Sequence, residues 1–159
     1  MGKANKAVTR KAEEKDAGSI SRLIKKESFM KSGKGNLLPL KKKDIVEAIR
    51  NSAFYVAELD KKIAACCSVI EYGGIAELRS LVVGKKHRGK GLGTAAADAC
   101  IKEAKRRGYK KLYALTQAEG FFTKLGFEKT GVPPEKMIKY CKNCPLKDNC
   151  VEISFVRVL

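Results

Sequence analysis

No run of 18 apolar residues occurs in the chain, and the N-terminus is charged rather than signal-like. A membrane-spanning helix and a secretory leader are therefore not expected, and a soluble cytoplasmic protein is. Histidine occurs once, at His87, so a zinc site of the mixed cysteine–histidine kind is short of ligands. Aromatic residues make up only 7% and do not interleave with the lysines as they would on a single-strand nucleic-acid surface. Acidic residues are scarce, 17 against 34 lysines and arginines, which leaves a formal charge of +17. A charge of that size attracts nucleic acid, acidic membranes or polyphosphate ligands. The lysines are spread over the whole sequence, however, so most of the excess reads as a solvated basic surface, and neither nucleic acid nor membrane is the expected partner. Internal repeats and low-complexity tracts are absent. What is present, 159 residues with 44% apolar, suits one folded domain covering 1–159.

The most informative stretch runs from Leu78 to Thr94. An aliphatic run ending in Val82-Val83 gives way to the basic, glycine-dense Arg88-Gly-Lys-Gly-Leu-Gly-Thr94, and an alanine-rich helical pattern follows. Strand, glycine loop and helix start are the parts of an anion-binding turn. Gly89, Gly91 and Gly93 let the backbone approach a ligand, Arg88 and Lys90 add charge, and the helix dipole adds a positive end near Leu92. A dinucleotide fingerprint needs its third glycine elsewhere, and a Walker loop needs Gly-Lys-Ser/Thr, which is missing. The loop reads as a diphosphate holder.

Arg88-x-x-Gly91-x-Gly93 after such a strand resembles the acetyl-CoA motif of the GNAT N-acetyltransferase superfamily. The resemblance implies acetyl-CoA as co-substrate. It also implies cofactor contacts from the backbone of Leu81, Val82 and Val83 and from Arg88, Gly89, Lys90, Gly91, Leu92, Gly93 and Thr94. Phe121-Phe122 before Gly126-Phe127 resembles the second signature of that superfamily, with Phe122 against the cofactor arm. Many members carry tyrosine there, whose hydroxyl protonates the leaving thiolate. Phe122 cannot, and Tyr113 and Tyr140 are the substitutes the sequence offers.

The element pattern agrees with that fold. Strands are expected at Ala7–Lys11, Phe54–Leu59, Ile63–Tyr72, Ile75–Val83, Lys111–Leu115, Phe127–Thr130 and Val151–Leu159. Helices are expected from an Asp16 cap through Ile24, over Lys43–Arg50, over Gly93–Arg107 closed by Gly108, and over Ala118–Leu125. This is an α+β chain; the GNAT fold implied by the resemblance is a mixed, mostly antiparallel sheet flanked by helices. The segment from Pro133 through the cysteines reads as irregular.

Amine acetylation needs a base for the amine proton and stabilisation of the tetrahedral oxyanion. The GNAT resemblance implies Glu77 as the candidate base, since several enzymes of that superfamily carry a glutamate at this offset from the strand end for that role. Strict alternation would put it on one face with Arg79, Leu81 and Val83; the competing reading is a surface glutamate paired with Arg79. Phenylalanine at 122, Leu115-Thr116, Gly35-Asn36-Leu37-Leu38 and Pro134-Glu135-Lys136 together resemble the acetyltransferase domain of N-acetylglutamate synthase. That resemblance implies substrate contacts at Leu37 and Ser80. Arg79 is the candidate cation for a substrate carboxylate, since Pro39 and the Cys150–Val151 region stand where arginines are expected. The acceptor so implied is a primary amine, best the α-amine of a free amino acid such as glutamate, for arginine synthesis. A protein lysine or N-terminus, or a polyamine, is the alternative acceptor, and a non-catalytic acyl-CoA or nucleic-acid binding module is the alternative from another class. A homodimer is an open assembly state. Within 141–150, Cys141, Cys144 and Cys150 are candidate thiolate ligands for zinc or iron, with a redox pair or free thiols as the other readings.

Overall fold

The computed structural model describes residues 6–28, 38–51, 53–131, 133–145, 147–150 and 152–159. Its strands are β1 (Ala7–Lys11), β2 (Ala53–Leu59), β3 (Lys62–Tyr72), β4 (Ile75–Val83), β5 (Lys111–Thr116), β6 (Glu128–Lys129) and β7 (Ile153–Val158). The helices are α1 (Ala17–Glu27), α2 (Lys42–Asn51), α3 (Leu92–Arg106), α4 (Glu119–Lys124) and α5 (Glu135–Cys141). One sheet runs in the order β1-β2-β3-β4-β5-β7-β6. Its pairs are antiparallel except β4 with β5, which is parallel. This is the mixed, mostly antiparallel α+β sheet that the sequence leads one to expect. The last helix, α5, falls within the stretch expected to be irregular; Pro134 precedes its first turn, where a missing N–H costs nothing.

Helices cover both faces of the sheet. On one face α3 lays Ala96, Ala97, Cys100, Ile101 and Ala104 over Cys67, Val69, Ala76, Leu78, Leu112, Ala114 and Phe155. Small residues on α3 let the helix axis come close to the sheet. On the other face Ile20 and Ile24 of α1 and Ile45 of α2 pack on Phe54, Val56, Cys66 and Val82. Asp16 precedes α1 but makes no side-chain capping bond, contrary to the sequence expectation. Its carboxylate instead accepts from Arg10 Nη1 at 2.7 Å and from the Glu13 N–H at 2.8 Å, tying the start of α1 to the edge strand.

Two backbone features place the site. Between Cys66 and Ser68 on β3, the facing strand advances from Val82 to Arg79, so β4 carries one extra residue. Ser80, inside that bulge, has φ +53°, a left-handed conformation uncommon for a side chain other than glycine. The bulge reverses the alternation. Ala76 and Leu78 face α3, so Glu77 and Arg79 face the α1–α2 side. Beyond the bulge Val82 packs on the α1–α2 side, while Leu81 and Val83 pack on the α3 side. The expected common face of Glu77, Arg79, Leu81 and Val83 is therefore corrected: the extra residue splits it into two.

The second feature is the pairing of β4 with β5, which consists of Ala76↔Leu112 and Glu77↔Tyr113. After Glu77 the strands part, although β4 continues to Val83 and β5 to Thr116. Close packing at the far end holds the wedge. A Cβ on Gly93 would lie 2.9 Å from Val83 Cγ2, so α3 can approach the end of β4 only because residue 93 is glycine. Gly93→Ala should lower stability by about 1–3 kcal/mol through overpacking, read from the urea midpoint; an unchanged midpoint would mean that Val83 rotates away freely.

Candidate active site

The glycine loop lies at the mouth of the wedge. Gly89 and Gly91 both have φ +77°, and a Cβ at either would meet nothing within 4 Å; backbone conformation, not crowding, selects glycine there. Gly91 is the N-cap of α3, and the first helical bond runs from the Ala95 N–H to the Gly91 carbonyl at 3.0 Å. The N–H groups of Leu92, Gly93 and Thr94 thus precede the first intrahelical bond, as at any helix start, and with the dipole they favour an anion. Lys90 and Thr94 are exposed beside them.

Arg88 is used differently from the sequence expectation. Its Nη2 donates to Glu27 Oε2 at 2.9 Å and its Nε to the Val83 carbonyl at 3.4 Å. Glu27 Oε1 also accepts from the Lys85 N–H at 3.1 Å. The last residue of α1 therefore clamps both ends of the turn at Lys85–His87. His87 Nδ1 in that turn is buried without a hydrogen-bond partner.

At the apex of the wedge stands Glu77. It is 5% exposed, so it is not a surface glutamate, and its Oε2 lies 3.6 Å from Arg79 Nε. Arg79 itself is 44% exposed at the side chain and reaches solvent. Leu112, Ala114 and Phe155 face α3. Their neighbours Tyr113, Ser154 and Glu152 therefore share the opposite face with Glu77. Burial pushes the Glu152 carboxyl up to about 7; the Glu77 charge adds to this and Arg79 opposes it. Ser154 is 7% exposed, and its buried hydroxyl has no hydrogen-bond partner. Cys141, at the end of α5, senses the same surroundings. Burial raises its thiol, and Cys150, Cys144, Glu152 and Glu77 reinforce the shift.

Other expectations resolve as follows. Phe122 is 3% exposed within an aromatic cluster, its ring centroid 5.6 Å from Phe121, 5.2 Å from Phe127 and 6.0 Å from Phe155. The ring beside the start of α3 is Phe121, 3.7 Å from where a Gly93 Cβ would stand. Leu37 lies outside the described residues, as does the side chain of Tyr140. Cys141 and Cys144 are free thiols. Among the described residues no group of three or more His, Cys, Asp or Glu could hold a metal ion, so the zinc or iron reading is not carried further. Their spacing allowed a site, but α5 and the turn after it do not bring the thiols together as one ligand set.

The sequence reading missed Glu152 and Ser154. The signal was available: alternation through the last strand puts both on one face, and only the pairing of β5 with β7 shows that this face is shared with Glu77.

Comparison with known proteins decides the family. Residues 22–127 match the acetyltransferase (GNAT) family. The chain belongs to that family. An N-acetyltransferase of Chlorobaculum tepidum, itself uncharacterized, is 32% identical over 147 residues, 91% of each chain. Rv2747 from Mycobacterium tuberculosis, solved in complex with CoA, superimposes with TM-score 0.77 at 23% identity, covering 96% of this chain and 99% of that one. N-acetylglutamate synthase from Neisseria gonorrhoeae, complexed with coenzyme A and N-acetyl-glutamate, gives TM-score 0.78 at 21% identity. The match covers 99% of this chain but 36% of the synthase. By the family match and the 32% identical relative, this GNAT chain is an acyltransferase. Among the described residues no helix is long and apolar enough to cross a membrane.

The Glu152 environment has a consequence for stability. A carboxyl that takes up its proton near 7 when folded, but in the ordinary carboxylate range when unfolded, makes the folded state bind more protons between those values. Stability should therefore fall as pH rises from about 4.5 to 7. Glu152→Gln should remove that decline, so urea midpoints of variant and parent should diverge progressively toward pH 8. Parallel curves would contradict the buried environment.

Proposed function

We propose that this GNAT enzyme transfers acetyl directly from acetyl-CoA to a primary amine, best the α-amine of a free amino acid such as glutamate. The observation that carries the reading is the buried Glu77 at the point where β4 and β5 part, with the glycine loop at the far end of β4. Six strand residues separate the two, about 20 Å, which suits an extended arm with a diphosphate at one end and a thioester at the other. The diphosphate would sit on the N–H groups of Leu92, Gly93 and Thr94, with Lys90 supplying charge. The arm would follow the edge of β4 along Leu81, Val82 and Val83, where β5 has withdrawn. The chain reads as one domain, with the cysteine segment as part of the acceptor side.

In this reading Glu77 takes a proton from the attacking nitrogen, as the family resemblance suggests. Backbone N–H groups of the parted strand edge polarise the thioester carbonyl and hold the oxyanion. Arg79, on the Glu77 face and open to solvent, receives the acceptor's carboxylate, with the backbone at Ser80 beside it. Phe122 supplies packing and no proton, so the CoA thiolate takes its proton from solvent.

The test is thiol release from acetyl-CoA with free amino acids, a lysine peptide and spermidine as acceptors. Turnover should favour an amino acid carrying a free carboxylate. Arg79→Ala should raise its KM about tenfold or more, the cost of one charge-assisted contact. Glu77→Gln should cut kcat by about 10²-fold or more with acetyl-CoA affinity retained. Preference for spermidine or peptide would redirect the acceptor assignment; unchanged kcat in Glu77→Gln would remove Glu77 from the chemistry.

A further inference from the structure

The acceptor side of the wedge holds a second carboxylate. Glu152 precedes β7, one residue before the Thr116↔Ile153 pair that ends the β5–β7 ladder. Alternation puts it on the face of Ser154 and, through the β5 pairing, on that of Tyr113 and Glu77. The ladder between β4 and β5 ends at Glu77↔Tyr113, so Glu77 and Glu152 look onto the same opening from its two sides. Two further features mark that face as built for a polar ligand. Ser154 keeps a hydroxyl buried without a partner, which is costly unless something else bonds it. Arg79 supplies a guanidinium near the pair.

Resting on the acetyltransferase reading above, we infer that Glu152 is a proton-accepting carboxylate of the acceptor site, working with Glu77 so that each takes one of the two protons the acceptor nitrogen must lose. The acceptor enters as an ammonium ion, R–NH3+. Glu152 takes one proton and leaves the neutral amine. The nitrogen lone pair then forms the C–N bond to the thioester carbonyl carbon, and Glu77 takes the second proton from the tetrahedral nitrogen. The C–S bond breaks with its electron pair on sulfur, and the thiolate of CoA departs. Charge balances: one cation and two carboxylates become an amide, two carboxylic acids and a thiolate.

The groups facing Glu152 support this division. Glu77 on β4 raises it and Arg79 on β4 opposes the rise. Tyr113 on β5 is on the same face, and the raised Cys141 thiol at the end of α5 presents no competing cation. Burial dominates, and the carboxyl reaches about 7, a value suited to accepting a proton from an ammonium at neutral pH and releasing it to solvent. Glu77 stands on the β4 side of the same opening, with Arg79 Nε 3.6 Å from its carboxylate.

Two measurements on the intact protein test the inference. Carboxyl titration with 13C-labelled glutamate should show one glutamate titrating near 7, lost in Glu152→Gln and moved down in Glu77→Gln. With acetyl-CoA and L-glutamate, or the best acceptor of the panel, kcat/KM should rise through a limb near that value. Glu152→Gln should remove the limb and lower the rate at pH 7 at least about tenfold, with acetyl-CoA KM unchanged and partial recovery at high pH. Glu152→Asp should restore a limb at a shifted pH. A limb that persists in Glu152→Gln, or a Glu152 carboxyl titrating in the ordinary range, overturns the role of Glu152 alone. Absence of turnover with every amine overturns the acetyltransfer reading and this role with it.

Discussion

The parting of β4 from β5 after only two paired positions is the constraint on which the rest of the site depends. Parallel neighbours would ordinarily ladder for the full length of the shorter strand. Here the extra residue in β4 and the left-handed Ser80 turn the strand away and increase its local twist. β5 keeps its other edge bonded to β7 through Thr116, so it does not follow. An opening appears inside a continuous sheet, with backbone groups along its edge. The bulge also reverses which side chains face α3, so Glu77 and Arg79 turn to the α1–α2 side while Leu81 and Val83 brace the helix.

The glycine loop and the bulge serve one another. Val83 is the contact that brings the start of α3 down onto the end of β4, and the loop between them is fastened from behind by Glu27. That fastening holds the Arg88 guanidinium against a carboxylate and a carbonyl, and in the proposed function the N–H groups at the start of α3 and the exposed Lys90 are the parts of the loop left to meet a diphosphate. The excess of positive charge over the rest of the surface is not needed for this arrangement; two or three groups at one helix end suffice.

On the α1–α2 face of the wedge the balance of charge runs the other way. Glu77 is buried and Glu152 half-buried, and the Glu77 charge adds to the rise of the Glu152 carboxyl while Arg79 opposes it. Such a pair is unfavourable for stability, and in the proposed function it serves to move protons. Under the same proposal, a guanidinium beside two carboxylates suits an ammonium group with a single nearby carboxylate better than a strongly anionic surface.

Much of this was legible in the chain. Glycine and turn chemistry mark the β3–β4 hairpin, the loop and the end of α3, and periodicity marks the helices, because these depend on local backbone preferences and on residues a few positions apart. The family follows from Arg88-x-x-Gly91-x-Gly93 and the Phe121–Phe127 stretch. α5 was lost because its short, mixed sequence has no clear period. The common face assigned to Glu77, Arg79, Leu81 and Val83 failed because a bulge is one inserted residue, invisible to a strict alternation of two. Glu152 could not be joined to Glu77 from sequence at all: 74 residues of chain lie between them, and only the β4–β5–β7 pairing sets them on one face. Local chemistry therefore settled most of the elements and the position of the glycine loop by itself. The wedge, the burial of its carboxylates and their mutual repulsion were decided by tertiary structure, because each depends on which strands meet and where they part.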